Sequence, residues 1–387
     1  MTFIRAGSVA APGRRAGPSI IVIDGGRIVE ILDREPADVR ERGDVVDALA
    51  CAVAPGFVDL HAHGAAGAEL GSGEEEAIAA VARFYAAHGV TGFLAGLSGD
   101  RAGLLAAISA VLRHTKGPRS GEGAAILGIH LEGPFINPAH GGAFAPSSIA
   151  APDLEAFRAY LEAAEGLVRL VTLAPEMPGA DAIIREAVSR NVAVSAGHSA
   201  ATFAQMDAAV ALGVRHVTHT YNAMRPLHHR EPGILGAALT EDGLTAEAIA
   251  DGIHVHPAAL RLLVRAKGAG RVCLVTDSVG ATGLPDGRYN FEGREVFVSG
   301  GSVRLADGTL CGSVLTMDRA VSNMVAFGAA SKEEALAMAS DNPARVVGLG
   351  RKGRIEKGMD ADLVALEGDM AVAWTMVGGR IVYRRGM

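Results

Sequence analysis

One glutamate and a group of histidines are the residues of this 387-residue chain best suited to do chemistry. Glu132 ends an apolar run, directly before a Gly-Pro turn. An acid in such a place rarely lacks a partner of opposite charge or a metal ion. The candidate partners also follow apolar runs, and they are His61, His63, His198, His219 and Asp277. We therefore predict a metal site with Glu132 at its centre.

These residue types predict an open, catalytic metal site. Imidazole and carboxylate donors without thiolates are typical of Zn²⁺, Fe²⁺, Co²⁺ or Mn²⁺. Zn²⁺ is the expected ion, and one or two ions per subunit are feasible if Glu132 is shared. His61 and His63 leave the same side of an extended segment, because side chains alternate along it. A bound cation lowers the pKa of water and Asp277 can take and return the proton, so we predict hydrolysis.

Eight apolar runs between residues 56 and 277 must position these side chains. Alanine-rich helical patterns separate most of them, which indicates parallel strands covered on both faces, and eight such units favour a closed (β/α)8 TIM-like barrel. The predicted strands are 57–60, 90–97, 126–132, 167–173, 192–196, 214–220, 246–251 and 272–277. The metal-site candidates, and His254 after the seventh strand, then fall at the carboxyl ends of strands, where barrel enzymes build their sites.

Both ends of the chain have a different pattern, rich in strands with Gly-Gly turns. Residues 20–30 predict a hairpin, and 363–366 and 376–383 predict further strands. We expect residues 1–54 and 356–387 to form one small β-sandwich domain and residues 55–355 the catalytic barrel domain.

Charge and composition favour a small-molecule partner. The net charge is −7 and Lys and Arg are scattered, which argues against nucleic acid and against an anionic membrane surface. Cys51, Cys273 and Cys311 match neither a disulfide framework nor a cysteine metal cluster, so a reducing compartment fits. No signal-peptide pattern or long apolar run is found, and we predict a cytoplasmic protein.

Several runs resemble N-acetylglucosamine-6-phosphate deacetylases, a family of the amidohydrolase superfamily. The match spans most of the chain, and its HLEGP and YNAM runs are the more family-specific parts. The runs are PGFVDLHAHG (55–64), HLEGP (130–134), AGHS (196–199), THTYNAM (218–224), REPG (230–233), DGIH (251–254), VTD (275–277), NPA (342–344) and GMDADL (358–363).

The resemblance implies roles for the candidate metal-site residues. Glu132, His198 and His219 resemble the three ligands of a metal present in all members. His61 and His63 resemble a pair that can hold a second ion, with Glu132 as the bridge. Asp277 resembles the catalytic acid and base.

The resemblance also implies a substrate site for an amino-sugar phosphate in a homodimer. Asn222, Ala223 and Arg230 resemble contacts to the sugar phosphate. His254 resembles a phosphate contact that reaches the active site of the neighbouring subunit.

One position departs from the family pattern. After the Leu-Glu-Gly-Pro run the family often has a histidine that meets a sugar hydroxyl, whereas this chain has Phe144. Phenylalanine cannot form that hydrogen bond. Either His140 substitutes for it, or the sugar specificity differs and N-acetylgalactosamine 6-phosphate or another modified amino sugar is accepted.

Two alternative functions stay open. One is another amidohydrolase acting on a different N-acyl substrate, but cyclic amidases of this superfamily usually carry a lysine at the end of the fourth strand, and residues 172–176 contain none. The other is a non-catalytic barrel that binds metal or sugar phosphate as a sensor. Asp277 argues against it, because a binder needs no proton shuttle.

Overall fold

The computed structural model describes residues 1–10, 17–291 and 293–386, and in that part of the chain the strands form three sheets and one two-stranded hairpin. The strands are β1 (Thr2–Val9), β2 (Ser19–Asp24), β3 (Arg27–Leu32), β4 (Asp44–Pro55), β5 (Phe57–Asp59), β6 (Gly64–Ala65), β7 (Ala68–Glu69), β8 (Val90–Leu97), β9 (Ala125–Glu132), β10 (Val168–Leu173), β11 (Ala193–Ala196), β12 (His216–Val217), β13 (Thr245–Ala248), β14 (Val272–Leu274), β15 (Gly287–Phe291), β16 (Arg294–Ser299), β17 (Ser302–Arg304), β18 (Leu310–Ser313), β19 (Leu363–Leu366), β20 (Val372–Val377) and β21 (Arg380–Arg384). The α-helices are α1 (Val39–Arg42), α2 (Glu75–Ala87), α3 (Arg101–Lys116), α4 (Leu154–Ala163), α5 (Ala180–Ser189), α6 (Phe203–Leu212), α7 (Gly233–Thr240), α8 (Pro257–Lys267), α9 (Met317–Ala326), α10 (Lys332–Met338) and α11 (Asp341–Val346).

The central sheet is the predicted eight-stranded parallel barrel. Its strand order is β14-β13-β12-β11-β10-β9-β8-β5, and each neighbouring pair is parallel. The first and last strands meet where the Asp277 N–H donates to the His61 carbonyl at 2.8 Å and Ala62 bridges to Ser278. Closure therefore brings the segments that follow β5 and β14 side by side, and both carry candidate site residues.

Burial on both faces explains why these strands form a barrel. All eight residues of β8 are buried, and α2 covers the barrel with buried residues such as Ile78, Val81 and Tyr85. Several strands are shorter than predicted, because the chain turns away from the sheet before its apolar run ends: β12 comprises only His216 and Val217. None of the helices in the described part of the chain has the length and apolar character of a membrane span.

The two ends of the chain share one seven-stranded sheet, as predicted, with the order β21-β20-β19-β4-β1-β2-β3. The sheet folds back on itself, since Ile21 and Ile23 from one half share a buried core with Leu363, Trp374 and Met376 from the other. The fold class predicted from the sequence is thus confirmed. The division into domains at residues 54–55 and 355–356 stays a proposal.

A four-stranded antiparallel sheet, β15-β16-β17-β18, follows the last barrel strand and was not predicted. Its core is small, and the buried residues that form it include Val296, Val298, Val303 and Cys311. Its strands are only three to six residues long, so the sequence contains no long apolar run that would predict them. The sheet lies beside the carboxyl end of the barrel and forms one wall of the pocket described below.

Candidate metal centre

The predicted metal-site residues converge at the carboxyl end of the barrel, although more than two hundred residues separate His61 from Asp277 in the chain. Glu132 is the last residue of β9, and the others lie in the segments that follow neighbouring strands. All are buried: His61 at 0%, His63 at 6%, Glu132 at 5%, His198 at 4%, His219 at 4% and Asp277 at 9% exposed.

The carboxylate of Glu132 is surrounded by imidazole nitrogens. Its Oε1 lies 3.2 Å from His61 Nε2, 3.1 Å from His198 Nε2 and 3.2 Å from His219 Nε2. Its Oε2 lies 3.2 Å from His63 Nε2. These residues form two groups that share Glu132, one with His61 and His63 and one with His198 and His219, and within each group the ligand atoms lie within 4.8 Å of one another.

The hydrogen-bond pattern fits a metal ion. His198 Nδ1 lies 2.8 Å from the carbonyl oxygen of His140, which can only accept, so the neutral ring carries its lone pair on Nε2. His61 is oriented in the same way, with Nδ1 3.0 Å from a carboxylate oxygen of Glu247. Both lone pairs therefore face the carboxylate of Glu132, which is also an acceptor. Acceptors pointed at one another repel unless a cation lies among them.

The pKa values reflect the same crowding. Burial raises the pKa of Glu132, but the neighbouring histidines, His61 first, outweigh burial and hold the pKa well below its usual range. Burial lowers the pKa of His61, but nearby carboxylates, Glu132 first, raise it well above its ordinary value. The pKa values of His63 and His219 are also raised, against burial, by Glu132. An ion that binds here must displace protons.

The backbone is strained at three of the candidate residues. His198, His219 and Asp277 have φ values of +48°, +28° and +49°, in a region that non-glycine residues rarely adopt. Such conformations cost about 1–3 kcal/mol each and persist only where surrounding contacts enforce them. Here the N–H of His219 donates to Glu247 at 2.9 Å and the N–H of Asp277 donates to the His61 carbonyl at 2.8 Å. Strain of this kind is concentrated at functional sites.

Asp277 faces the cluster without forming a hydrogen bond to it. Its Oδ1 lies 3.6 Å from His61 Nε2 and 3.5 Å from His63 Nε2. The carboxylate also lines the pocket, so it contacts the space where a small molecule would approach the cluster. This is the arrangement that a general acid and base requires.

A cavity of about 210 Å³ opens beside the cluster. Asn222 and Ala223 line it, as predicted, and the Asn222 side-chain amide also donates to the His219 carbonyl at 3.2 Å. Phe144 forms part of the wall, with its ring edge-on to His198 at a centroid distance of 4.9 Å. Phe291 and other residues of the unpredicted four-stranded sheet close the opposite side. The pocket is therefore polar at the cluster and largely apolar elsewhere.

His254 lines the pocket of its own chain, and its predicted contact with the active site of a neighbouring subunit stays a prediction. Its side chain is 5% exposed, and its Nδ1 is 2.6 Å from a carboxylate oxygen of Asp251. The Asp251 carboxylate also accepts the His254 backbone N–H at 2.8 Å. Asp251 therefore fixes the orientation of the His254 ring at the pocket wall.

Two other predicted substrate contacts lie outside the described lining of the cavity. Arg230 is exposed and its guanidinium is 2.9 Å from His229 Nε2. The half-buried His140 contributes its carbonyl oxygen to His198, but its side chain is not part of the pocket wall. The expected substitution of His140 for the missing family histidine stays a prediction.

A buried acid that was not predicted from the sequence, Glu247, contacts His61, His216 and His219. Part of the signal that singled out Glu132 was present here, because Glu247 is a carboxylate within a predicted apolar strand, although it does not end that strand. His216 gave a second signal, since it lies three residues before His219 in the predicted strand 214–220, which precedes the strand of Glu247.

Comparisons with known proteins agree with this geometry. The amidohydrolase family model matches residues 52–382. The N-acetylglucosamine-6-phosphate deacetylase of Bacillus subtilis (strain 168) is 39% identical over 332 residues, covering 85% of this chain and 84% of that protein. The N-acetylgalactosamine-6-phosphate deacetylase of Escherichia coli O157:H7 is 38% identical over 357 residues, covering 92% of each.

A solved structure is also similar over nearly the whole chain. A substituted form of N-acetyl-D-glucosamine-6-phosphate deacetylase from Mycobacterium smegmatis, in complex with N-acetyl-D-glucosamine-6-phosphate, is 35% identical. It superposes with a TM-score of 0.90 and covers 98% of this chain and 99% of that one.

We predict that Zn²⁺ raises the melting temperature of chelator-treated protein, and raises it more at about pH 8 than at about pH 6. The raised pKa values of His61, His63 and His219 keep protons on these rings at the lower pH, and the ion must displace them. With free ion at 100 times its Kd, binding adds about 2.7 kcal/mol to the free energy of unfolding. Differential scanning calorimetry measures the shift.

Two variants test whether the shift comes from the cluster. Glu132→Gln should lose most of it, because the shared carboxylate is gone. His228→Ala changes an exposed histidine and should keep it. Identical melting temperatures with and without Zn²⁺ at both pH values would contradict a metal centre.

Proposed function

The chain belongs to the amidohydrolase family, and from its buried histidine–carboxylate cluster we propose that it is a metal-dependent hydrolase that deacetylates N-acetylglucosamine 6-phosphate. The products would be glucosamine 6-phosphate and acetate. The observation that carries the proposal is the placement of Asp277 beside the cluster, in a pocket of the size of a small molecule.

The proposed metal ligands are Glu132, His198 and His219 for one ion, with His61 and His63 joining Glu132 for a second. Zn²⁺ is the ion we propose, since imidazole and carboxylate donors suit it, and Fe²⁺, Co²⁺ and Mn²⁺ are the alternatives. A bound ion would lower the pKa of water and polarise the acetamide carbonyl.

Asp277 is the proposed acid and base. It takes the proton of the attacking water and passes it to the nitrogen as the C–N bond breaks, so that the amine leaves uncharged. His254, oriented by Asp251, also lines the pocket and keeps its proposed role as a contact to the substrate phosphate. The N–H of Asp277 donates to the His61 carbonyl, and this bond helps to hold the carboxylate at the pocket wall.

Replacing Asp277 by Asn should lower kcat by about 10²–10⁴-fold while metal remains bound, because the amide cannot accept the proton. Acetate release measures kcat, and elemental analysis of the purified variant measures the metal.

The matched control is Asp286→Asn, an exposed acid outside the pocket, which should keep wild-type kcat. A near-normal kcat for Asp277→Asn would remove Asp277 from the mechanism. It would also favour the alternative function, a non-catalytic barrel that binds metal or sugar phosphate as a sensor.

We propose that Arg230 binds the substrate phosphate and that the protein is a homodimer. None of the described residues that line the cavity is Lys or Arg, so the anion needs a cation from elsewhere. Arg230 is exposed, and its planar guanidinium suits a phosphate. In a dimer, the Arg230 side chain of one subunit could enter the pocket of the other. The proposal adds Arg230 to the cross-subunit phosphate contact that the resemblance implies for His254.

We expect kcat/KM to be higher for the 6-phosphate than for N-acetylglucosamine itself, and Arg230→Ala to remove most of the preference. Hydrogen bonds to charged groups contribute about 1.5–3 kcal/mol, or about 10–150-fold in kcat/KM. The rate with the unphosphorylated sugar is the internal control and should not change.

Mixed subunits test the dimer. Arg230→Ala and Asp277→Asn chains should recover activity when they are combined, because one mixed site then holds both intact residues. Equal kcat/KM values of the wild-type enzyme for N-acetylglucosamine and its 6-phosphate would contradict the phosphate site. A monomer in sedimentation velocity would contradict the site shared between subunits.

Phe144 favours a second substrate, N-acetylgalactosamine 6-phosphate. The resemblance implies that family members often have a histidine at this position, which bonds to a sugar hydroxyl. In this chain the apolar ring of Phe144 occupies the pocket wall instead. A site built to bond a hydroxyl discriminates by about 10⁴–10⁵-fold, and loss of the bond relaxes that selectivity.

We expect the wild type to deacetylate both epimeric sugar phosphates with kcat/KM values within about tenfold, because no hydroxyl-bonding group remains at this position. Phe144→His should increase the ratio in favour of one epimer, and Phe144→Leu is the control that keeps the wall apolar. Wild-type discrimination above about 10³-fold would show that other residues select the sugar.

A cytoplasmic location is part of the proposal, since sugar phosphates are intracellular metabolites. Fractionation of cells that express the full chain would test it.

A further inference from the structure

Glu247 lies inside the barrel on β13, with none of its surface exposed. One oxygen, Oε2, accepts hydrogen bonds from His61 Nδ1 at 3.0 Å and from the His219 backbone N–H at 2.9 Å. The other, Oε1, accepts from His216 Nε2 at 3.2 Å. This single carboxylate therefore contacts one member of each of the two candidate ion-binding groups.

The charge of Glu247 has to be balanced through the residues that touch it. Its hydrogen bonds within the described structure come from two imidazole rings and one backbone amide, with no lysine or arginine. A buried carboxylate without a positive partner is costly. His61 can connect Glu247 to a positive charge, because its other ring nitrogen, Nε2, faces Glu132 and the proposed metal site.

His216 keeps Glu247 in place. Its Nδ1 is 2.6 Å from Thr245 Oγ1, so the ring is held at both nitrogens and directs Nε2 at the carboxylate. Thr245 and Glu247 lie on the same strand, two residues apart. The carboxylate cannot rotate away from His61 without leaving the His216 N–H unpaired in the barrel interior.

We infer that Glu247 is a positioning residue for the second ion, and that it holds His61 in the tautomer with a proton on Nδ1 and a lone pair on Nε2. The inference deepens the proposed function and rests on its metal centre. A carboxylate behind a histidine ligand fixes the ring and raises its basicity, and losing it typically costs 10–100-fold in metal affinity. Through the His219 N–H, the same carboxylate also supports the strained backbone of the first site.

Glu247→Gln is the sharpest variant, because the two side chains have nearly the same volume and only one acceptor oxygen becomes an N–H₂ group. The amide keeps one acceptor oxygen and therefore cannot accept from both His61 and His216. We expect the weaker of two Zn²⁺ ions to lose about 10–100-fold in affinity, and the tighter ion to change by much less. Competition titration and elemental analysis count the ions, and the absorption spectrum of the Co²⁺-substituted protein reports loss of a histidine ligand.

Ser195→Ala is the matched control. Ser195 is also fully buried in the barrel interior, on β11, and its hydroxyl bonds to Thr218 Oγ1 and not to a proposed ligand. It should bind both ions with wild-type affinity. The unfolding transition of each ion-free variant checks that the barrel is intact.

The His61 tautomer can be read in the wild type, which keeps the test valid if Glu247→Gln does not fold. Long-range ¹H–¹⁵N spectra of histidine-labelled, Zn²⁺-loaded protein should show His61 protonated at Nδ1, with a His61→Asn sample to assign the signal. The opposite tautomer would overturn the inference. So would a wild type that binds a single ion, or a Glu247→Gln variant that binds both ions with wild-type affinity.

These readouts need no substrate, so the inference and the proposed function can fail separately. Wild-type protein that binds two ions but releases no acetate from N-acetylglucosamine 6-phosphate refutes the deacetylase alone. Active wild type with Glu247→Gln indistinguishable from it in ion binding refutes the positioning role alone.

Discussion

The interaction on which the site depends is the contact of one buried carboxylate, Glu132, with imidazole nitrogens on both of its oxygens. In the neutral rings of His61 and His198, hydrogen bonds behind the rings direct lone pairs at that carboxylate. The arrangement is unfavourable for the protein alone and favourable around a cation. It explains why the chain tolerates strained backbone at His198, His219 and Asp277, since an ion bound at this centre would offset the cost.

The barrel makes this arrangement possible because its parallel strands all end at one rim. Glu132 is the last residue of β9, which pairs with a strand on each side, while the histidines follow other strands of the barrel. Asp277 is adjacent to His61 only because the last barrel strand returns to the first. The four-stranded sheet that follows then encloses the pocket and supplies Phe291 to its wall. The architecture thus brings residues that are distant in sequence together into one candidate acid–base and ion-binding site.

Much of this could be predicted from residues alone. Apolar runs of regular spacing predicted the barrel, and acids and histidines at the ends of those runs predicted which side chains meet. Glu247 was missed, although it is a carboxylate in an apolar strand, because it lies within its strand and not at the end. The four-stranded sheet was missed because short alternating strands carry little periodic signal. The orientation of the His254 ring could not be predicted, since it depends on Asp251 and on packing that no sequence pattern encodes.

The central claim is that Glu132 is shared by two ions, each held also by histidines from a different part of the barrel. Crystals of the Zn²⁺-loaded protein, measured on both sides of the zinc absorption edge, test it most directly. We expect two anomalous peaks flanking the Glu132 carboxylate, each about 2.0–2.2 Å from histidine Nε2 atoms. The absence of any peak beside Glu132 in fully loaded crystals, or a single peak that contacts neither His61 nor His63, would contradict the shared-carboxylate centre.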